Sequence, residues 1–305
     1  MRVLVRAAAP GVAQVVSAFA ALACIAAPVA ARQGSAAHQT RPVTERWNLT
    51  RRAAHFSLPE RLQETSGLAV SADGRILSHD DETGVVYHID PHTGKADHGF
   101  ALGRAARPPR GDFEAIAVAG PRLFLVTSRG LLYELREGKE GAGVPYRVTD
   151  TRLGNHCEIE GMAYDTRTES LRLACKTLAP PASEIRIHSL PLDPRVPAPA
   201  PLSVPFAALT PFGIPGDIHP SALEVDPATG ALIVVAARER VLLFIDRSGH
   251  VLGATRLSRD HHRQPEGVAV GADGRLYISD EGAGHRPRLT AYAVRAASAP
   301  GGQGP

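Results

Sequence analysis

One short pattern returns five times along the chain, and it constrains the fold more than any single residue does. Gln264–Gly282 reads Q-P-E-G-V-A-V-G-A-D-G-R-L-Y-I-S-D-E-G, two short strands around a turn with acidic residues at both ends. Glu64–Asp80 repeats the form, with the same Ala-Asp-Gly-Arg turn. Asp112–Val118, Glu158–Tyr164 and His219–Val225 carry shorter copies. Aligned on Ser66, Glu114, Glu160, Ser221 and Glu266, the copies are spaced by 48, 46, 61 and 45 residues. Periods of about 40–50 residues, each holding several short strands, mark the blades of a propeller.

The contents of each period fit four strands. The first unit offers Gly67–Val70, Arg75–Ser78, Val85–Ile89 and Ala96–Leu102, and the second Ala115–Val118, Leu123–Thr127, Leu131–Arg136 and Tyr146–Thr151. The fourth offers Ala222–Val225, Leu232–Ala236, Val241–Ile245 and Val251–Leu257. Asp-Pro-x-Thr-Gly and Ala-Asp-Gly segments supply the turns. The third interval is longer, and its Pro- and Ala-rich Leu190–Pro205 reads as a surface loop. The fifth unit has only Gly267–Val270, Leu276–Ser279 and Leu289–Val294. Its missing strand is expected from Ala54–Leu58, because an unclosed ring would leave bare sheet edges. The expected fold is all-β, a five-bladed propeller over residues 54–294. A six-bladed ring, with a degenerate blade in the long interval, is the alternative.

Outside the propeller, residues 1–31 read as a secretory signal peptide. Arg2 and Arg6 precede an Ala/Val-rich stretch, and Val29-Ala30-Ala31 offers small residues for cleavage. Pro10, Gly11, Gln14 and Pro28 interrupt the stretch short of a full membrane span. The exported protein is then periplasmic or extracellular, without a transmembrane segment. Residues 32–53 read as a flexible tether and 295–305 as a frayed tail. The formal charge is +3, of which Arg2 and Arg6 belong to the leader, so no concentrated basic face points to nucleic acid. A monomer is expected, with a small molecule or another envelope component as its partner.

After cleavage two cysteines remain, Cys157 and Cys175, at the two ends of one predicted hairpin. In an oxidising compartment they form either a disulfide or a pair of buried thiols.

The chemistry is expected at the starts of the first strands, which line a propeller's central channel. Residues two apart on a strand share a face. The pairs Glu64/Ser66, Asp112/Glu114, Glu158/Glu160, His219/Ser221 and Gln264/Glu266 are therefore expected around one mouth, next to second-strand ends that include His79-Asp80-Asp81-Glu82 and Asp280-Glu281. Converging carboxylates repel one another and must be offset. A divalent cation is one answer, and an oxygen-rich set suits Ca²⁺. Glu114, Glu160 and Glu266 are the first ligand candidates, with Glu64, Ser66, Asp112, Glu158, Ser221 and Asp280 behind them. The other answer is ion pairing with Arg129, Lys176, Arg238 or Arg240, or plain solvation. No His/Cys set stands at zinc spacing, and Gly-x-Ser-x-Gly is absent.

The series E-T-S-G-L-A-V, D-F-E-A-I-A-V, E-I-E-G-M-A-Y and Q-P-E-G-V-A-V resembles the SdiA-regulated (YjiK-like) propeller family, distantly akin to NHL-repeat and gluconolactonase-type propellers. The resemblance implies a five-bladed propeller, a calcium site and a suspected hydrolase activity. The fourth copy departs from it, with Ser221-Ala222 where Glu-Gly or Ser-Gly is usual. Two functions follow as expectations. One is an exported binding module with Ca²⁺ in its channel. The other is a Ca²⁺-dependent hydrolase of an ester, lactone or phosphoester, with His79, Asp80 or His219 as its base.

Overall fold

A computed structural model describes residues 42–178, 182–214 and 216–295. The expected leader, and most of the expected tail, lie outside the described residues. Strand β1 (Ala54–Ser57) is the first among the described residues but belongs to the last blade. Blade 1 is β2 (Thr65–Val70), β3 (Ile76–Asp80), β4 (Val85–Ile89) and β5 (His98–Leu102). Blade 2 is β6 (Phe113–Ala119), β7 (Arg122–Thr127), β8 (Leu131–Leu135) and β10 (Tyr146–Asp150). A two-residue strand, β9 (Gly143–Val144), leaves blade 2 and pairs in parallel with β5. Blade 3 is β11 (Cys157–Asp165), β12 (Ser170–Leu178), β13 (Glu184–Pro191) and β14 (Leu202–Pro205). Blade 4 is β15 (Ala222–Val225), β16 (Leu232–Ala236), β17 (Val241–Ile245) and β18 (Val251–Arg256). Blade 5 is β19 (Pro265–Val270), β20 (Leu276–Asp280) and β21 (Arg288–Tyr292), completed by β1.

The ring closes as the sequence requires. Ala54, His55, Phe56 and Ser57 pair antiparallel with Ala291, Thr290, Leu289 and Arg288. Each blade presses one face on the blade before it and one on the blade after. The buried apolar residues accordingly fall into five clusters, one for each pair of adjacent blades. This arrangement explains the unbroken apolar runs of the middle strands. Leu232-Ile233-Val234-Val235-Ala236 is buried at every position, because both faces of β16 are covered. The outermost β10, Tyr146–Asp150, is exposed throughout and reads polar.

Turn chemistry sets the blade geometry. In Asp90–Gly94 the Asp90 carboxylate accepts the His92 amide (2.8 Å) and the Thr93 hydroxyl (2.9 Å), and Gly94 takes a positive φ of 70°. Asp226–Gly230 repeats this turn in blade 4, with Thr229 on Asp226 and Gly230 at 76°.

Two expectations change. Leu190–Pro205 is not all loop, since Leu202–Pro205 forms the outer strand of blade 3. Pro205 is tolerated at the end of this edge strand, where a missing N–H costs no ladder bond. The tether also fails over its second half. Val43 and Trp47 are buried in the core between blades 4 and 5. Trp47 stacks on Phe244 at 6.2 Å and donates its indole N–H to Gly274 O at 2.8 Å, while Arg46 pairs with Asp226. Residues 43–47 therefore belong to the folded body. The tryptophan carries enough apolar surface to fix a segment whose neighbours are polar.

Candidate functional site at the channel mouth

The five innermost strands, β2, β6, β11, β15 and β19, each touch the next around the ring and enclose a narrow channel. The channel is tight enough to restrict the residue that follows the aligned one. A Cβ on Gly161 would lie 2.9 Å from Leu223, and one on Gly267 2.9 Å from Leu68. Glycine is needed at these two positions for close packing, whereas blades 2 and 4 carry the small Ala115 and Ala222 at the equivalent place.

The aligned glutamates reach the channel by a device the sequence did not disclose. The register slips between Phe113 and Ala115, between Ile159 and Gly161, and between Pro265 and Gly267. Glu114, Glu160 and Glu266 are thus the extra residues of three equivalent β-bulges. A bulge leaves its residue out of the ladder and re-aims the side chain. It also breaks the simple alternation behind the expected pairs, yet Asp112 stays in hydrogen-bond contact with Glu114, and the Glu158 and Asp112 charges still act on Glu160.

At the channel, burial and then the Glu160 charge push the Glu114 carboxyl well above the usual range. Burial, then Glu281 and Glu160, raise Glu266 to about 8. Glu160, 4% exposed, is also raised, chiefly by burial, although Lys176 opposes the shift. Lys176 Nζ lies 2.9 Å from Glu160 Oε1, and its charge also acts on Glu114 and Glu266. A protein cation therefore stands among the three first ligand candidates.

The residues two places earlier face the ends of the second strands, and there a cross-strand rule emerges. Asp112 accepts the Ser128 hydroxyl, and Glu158 accepts the Thr177 hydroxyl at 2.9 Å. His219 Nδ1 meets Glu239 Oε1 at 2.9 Å, and the Gln264 amide donates to Glu281. In blades 2 to 5 each acid thus faces a donor. Blade 1 breaks the rule, because Glu64 faces Asp81. The oxygens of Glu64, Asp80 and Asp81 converge within 4.8 Å of one another. Asp81 Oδ1 is buried without a hydrogen-bond partner. Burial, and next the Glu64 charge, push the Asp81 carboxyl up to about 7. Burial raises Asp80 as well. Asp81 did not enter the sequence-based ligand set, since it lies one residue past the end of β3.

The remaining candidates are placed elsewhere. Asp280 is 2% exposed and turned away from the mouth. It meets His262 Nδ1 at 2.8 Å and accepts the Gln264 amide at 3.2 Å, while His262 Nε2 meets Tyr292 Oη at 2.6 Å. Ser221 donates to Pro265 O at 2.9 Å and accepts the Ala237 amide at 3.1 Å, tying blade 4 to blade 5. The Ser66 hydroxyl is spent on Glu64 O at 3.3 Å. His79 is fully buried, with Nε2 unpartnered and wedged beside Gly67 and β6, and burial lowers its pKa to about 4. Such a ring is closed to substrate.

The fold recurs in solved enzymes. Glutaminyl cyclase from Myxococcus xanthus matches over 81% of this chain and 97% of its own, at 17% identity and a TM-score of 0.55. A luciferin-regenerating enzyme matches over 80% and 97% at 11% identity and a TM-score of 0.53. The PQQ-bound aldose sugar dehydrogenase of Streptomyces coelicolor matches over 82% and 98% at 11% identity and a TM-score of 0.52. At these identities the likeness is one of architecture, and their activities do not transfer. No curated protein shows significant similarity to the chain. Among the described residues no helix is long and apolar enough to cross a membrane. Residues 144–284, from the edge of blade 2 into blade 5, match the model of the SdiA-regulated family, so the resemblance carried by the repeat motifs holds for the sequence over that stretch.

Proposed function

We propose that the chain is an exported, calcium-binding propeller that acts as a binding module, with the cation held at the channel mouth by Glu64, Asp80 and Asp81. The observation that carries this reading is the acid-on-acid pair in blade 1, at a position where each other blade sets a donor against its partner. Ca²⁺ suits three carboxylates on a loop-and-strand frame, since it accepts about 6–8 oxygens with loose geometry and takes water for the rest. It would let Asp81 ionise without a proton and give its orphaned oxygen a partner. Export rests on the leader pattern of residues 1–31.

A second reading, a Ca²⁺-dependent hydrolase of an ester, lactone or phosphoester, draws on one observation. His219 stands at the start of a first-strand segment with its ring oriented by Glu239, the geometry of a carboxylate-held general base. The two readings separate in one experiment. Melting curves with calcium and with EDTA are run beside a panel of lactones, esters and phosphoesters. A calcium shift without turnover supports the binding module. Turnover that is lost in His219→Ala supports the hydrolase. An EDTA-insensitive melting point sinks the calcium site.

A further inference from the structure

Cys157 and Cys175 form a disulfide with Cα atoms 5.6 Å apart, and the bridge has a third neighbour. Both sulfurs and a ring nitrogen of His188 lie within 4.8 Å of one another. The grouping follows from blade 3 itself. His188 on β13 stands opposite Leu173 on β12, and Cys175 lies two residues beyond Leu173, so all three share one face. Cys157 reaches that face from β11. The two cysteines are 7% and 2% exposed, in the apolar cluster between blades 2 and 3.

His188 is the unexplained member. Its Nε2 is buried and has no hydrogen-bond partner, an expensive state for a polar atom. Burial, with Arg186 and His156 nearby, lowers its pKa, so the ring is held neutral in the form that ligates metals. Arg186 is itself occupied by Glu184, at 2.9 Å through its Nε.

We propose that reduction of Cys157–Cys175 converts this bridge into a Zn²⁺ site formed by the two cysteine sulfurs and His188, so that blade 3 exists in either a disulfide-locked or a zinc-locked form. A dithiol reductant delivers two electrons and two protons to the bridge and leaves as its own disulfide. Zn²⁺ then displaces the two thiol protons and binds both thiolates and the neutral imidazole. The resulting unit carries no net charge, which favours it over harder, uncompensated ions in apolar surroundings. Two sulfurs and one imidazole are also the donors zinc prefers, and water on the solvent side near His156 completes a tetrahedron. The site uses no residue of the acidic mouth.

The test uses the full mature chain, reduced with a phosphine in chelator-treated buffer and titrated with Co²⁺, whose thiolate charge-transfer absorption reports sulfur ligation. Reduced protein is expected to take up one equivalent with that absorption, to lose it on addition of Zn²⁺, and to show none when the disulfide is intact. His188→Ala and His188→Asn should weaken cobalt binding by roughly 100-fold. Melting of both variants in the disulfide form, close to that of the wild type, verifies that they fold. Absence of thiolate absorption in the reduced wild type overturns the proposal. So does unchanged affinity in the two folded His188 variants, which would reduce the site to a two-thiol chelate.

Discussion

Lys176 Nζ sits 2.9 Å from Glu160 Oε1, at the point where three bulged glutamates approach the channel. The partners differ in burial, Lys176 at 38% and Glu160 at 4% exposed, so the pair holds down one buried acid from the solvent side. Replacing Lys176 with methionine keeps the stem and removes the charge. Glu160 must then take a proton or lose its partner, and unfolding in urea at neutral pH should show a loss of about 1–3 kcal/mol. An unchanged denaturation midpoint would mean that the ion pair contributes nothing.

The calcium site predicts a reversal in one variant. At free calcium about 100 times the dissociation constant, binding to the folded state adds about 2.7 kcal/mol, a rise in Tm of about 5–10 °C. In Asp81→Asn the rise should fall below half of that, while stability in EDTA stays level or improves, because the half-buried acid no longer needs a proton. A full calcium response in this variant would move the cation away from Asp81.

The raised carboxyls set a pH dependence whose sign can be worked out. Glu266 titrates at about 8 in the folded chain, and Asp81 and Glu281 at about 7. In the unfolded chain all three lose their protons near the usual carboxylate values. The folded state therefore holds more protons across this interval, and stability falls as pH rises through it. Buried histidines act oppositely at lower pH. His79, lowered to about 4, makes stability rise with pH until about 6.5. The clean window is thus pH 6.5 to 8. Tm in EDTA should decline across it, and saturating calcium should flatten the decline. A Tm that climbs through this window would contradict the protonated carboxyls.

Trp47 supplies a test of the N-terminal border. It is 1% exposed and joins blades 4 and 5 ahead of the first strand. Trp47→Ala should cost about 3–5 kcal/mol in chemical denaturation, as for other buried tryptophans. A loss below about 1 kcal/mol would restore the tether reading.

The architecture was legible because repetition is a property of spacing. Ser66, Glu114, Glu160, Ser221 and Glu266 recur at blade distance, and the apolar runs between them had nowhere to lie except between two blades. The site was legible only in part. Which residues gather at the mouth follows from strand order, but their orientation depends on bulges. A bulge leaves no compositional mark, so Glu114 looked like a regular alternating residue. Asp280 was misplaced because its partner, His262, comes from a loop that carries no strand pattern. Trp47 was overlooked because a single aromatic residue in a polar segment has no periodicity to reveal its burial.

The pairing of Ala54–Ser57 with Arg288–Ala291 has a temporal meaning as well as a spatial one. Strand β1 has no partner until β21, at the far side of blades 1 to 4 in the chain, has been made. Blades 1 to 4 can assemble from contiguous stretches of chain, but blade 5 cannot, and the ring stays open until then. A nascent or truncated chain therefore presents unpaired edges at both ends of a nearly finished ring. Synthesis of β21, rather than of any one of blades 1 to 4, is the event that gives β1 its partner.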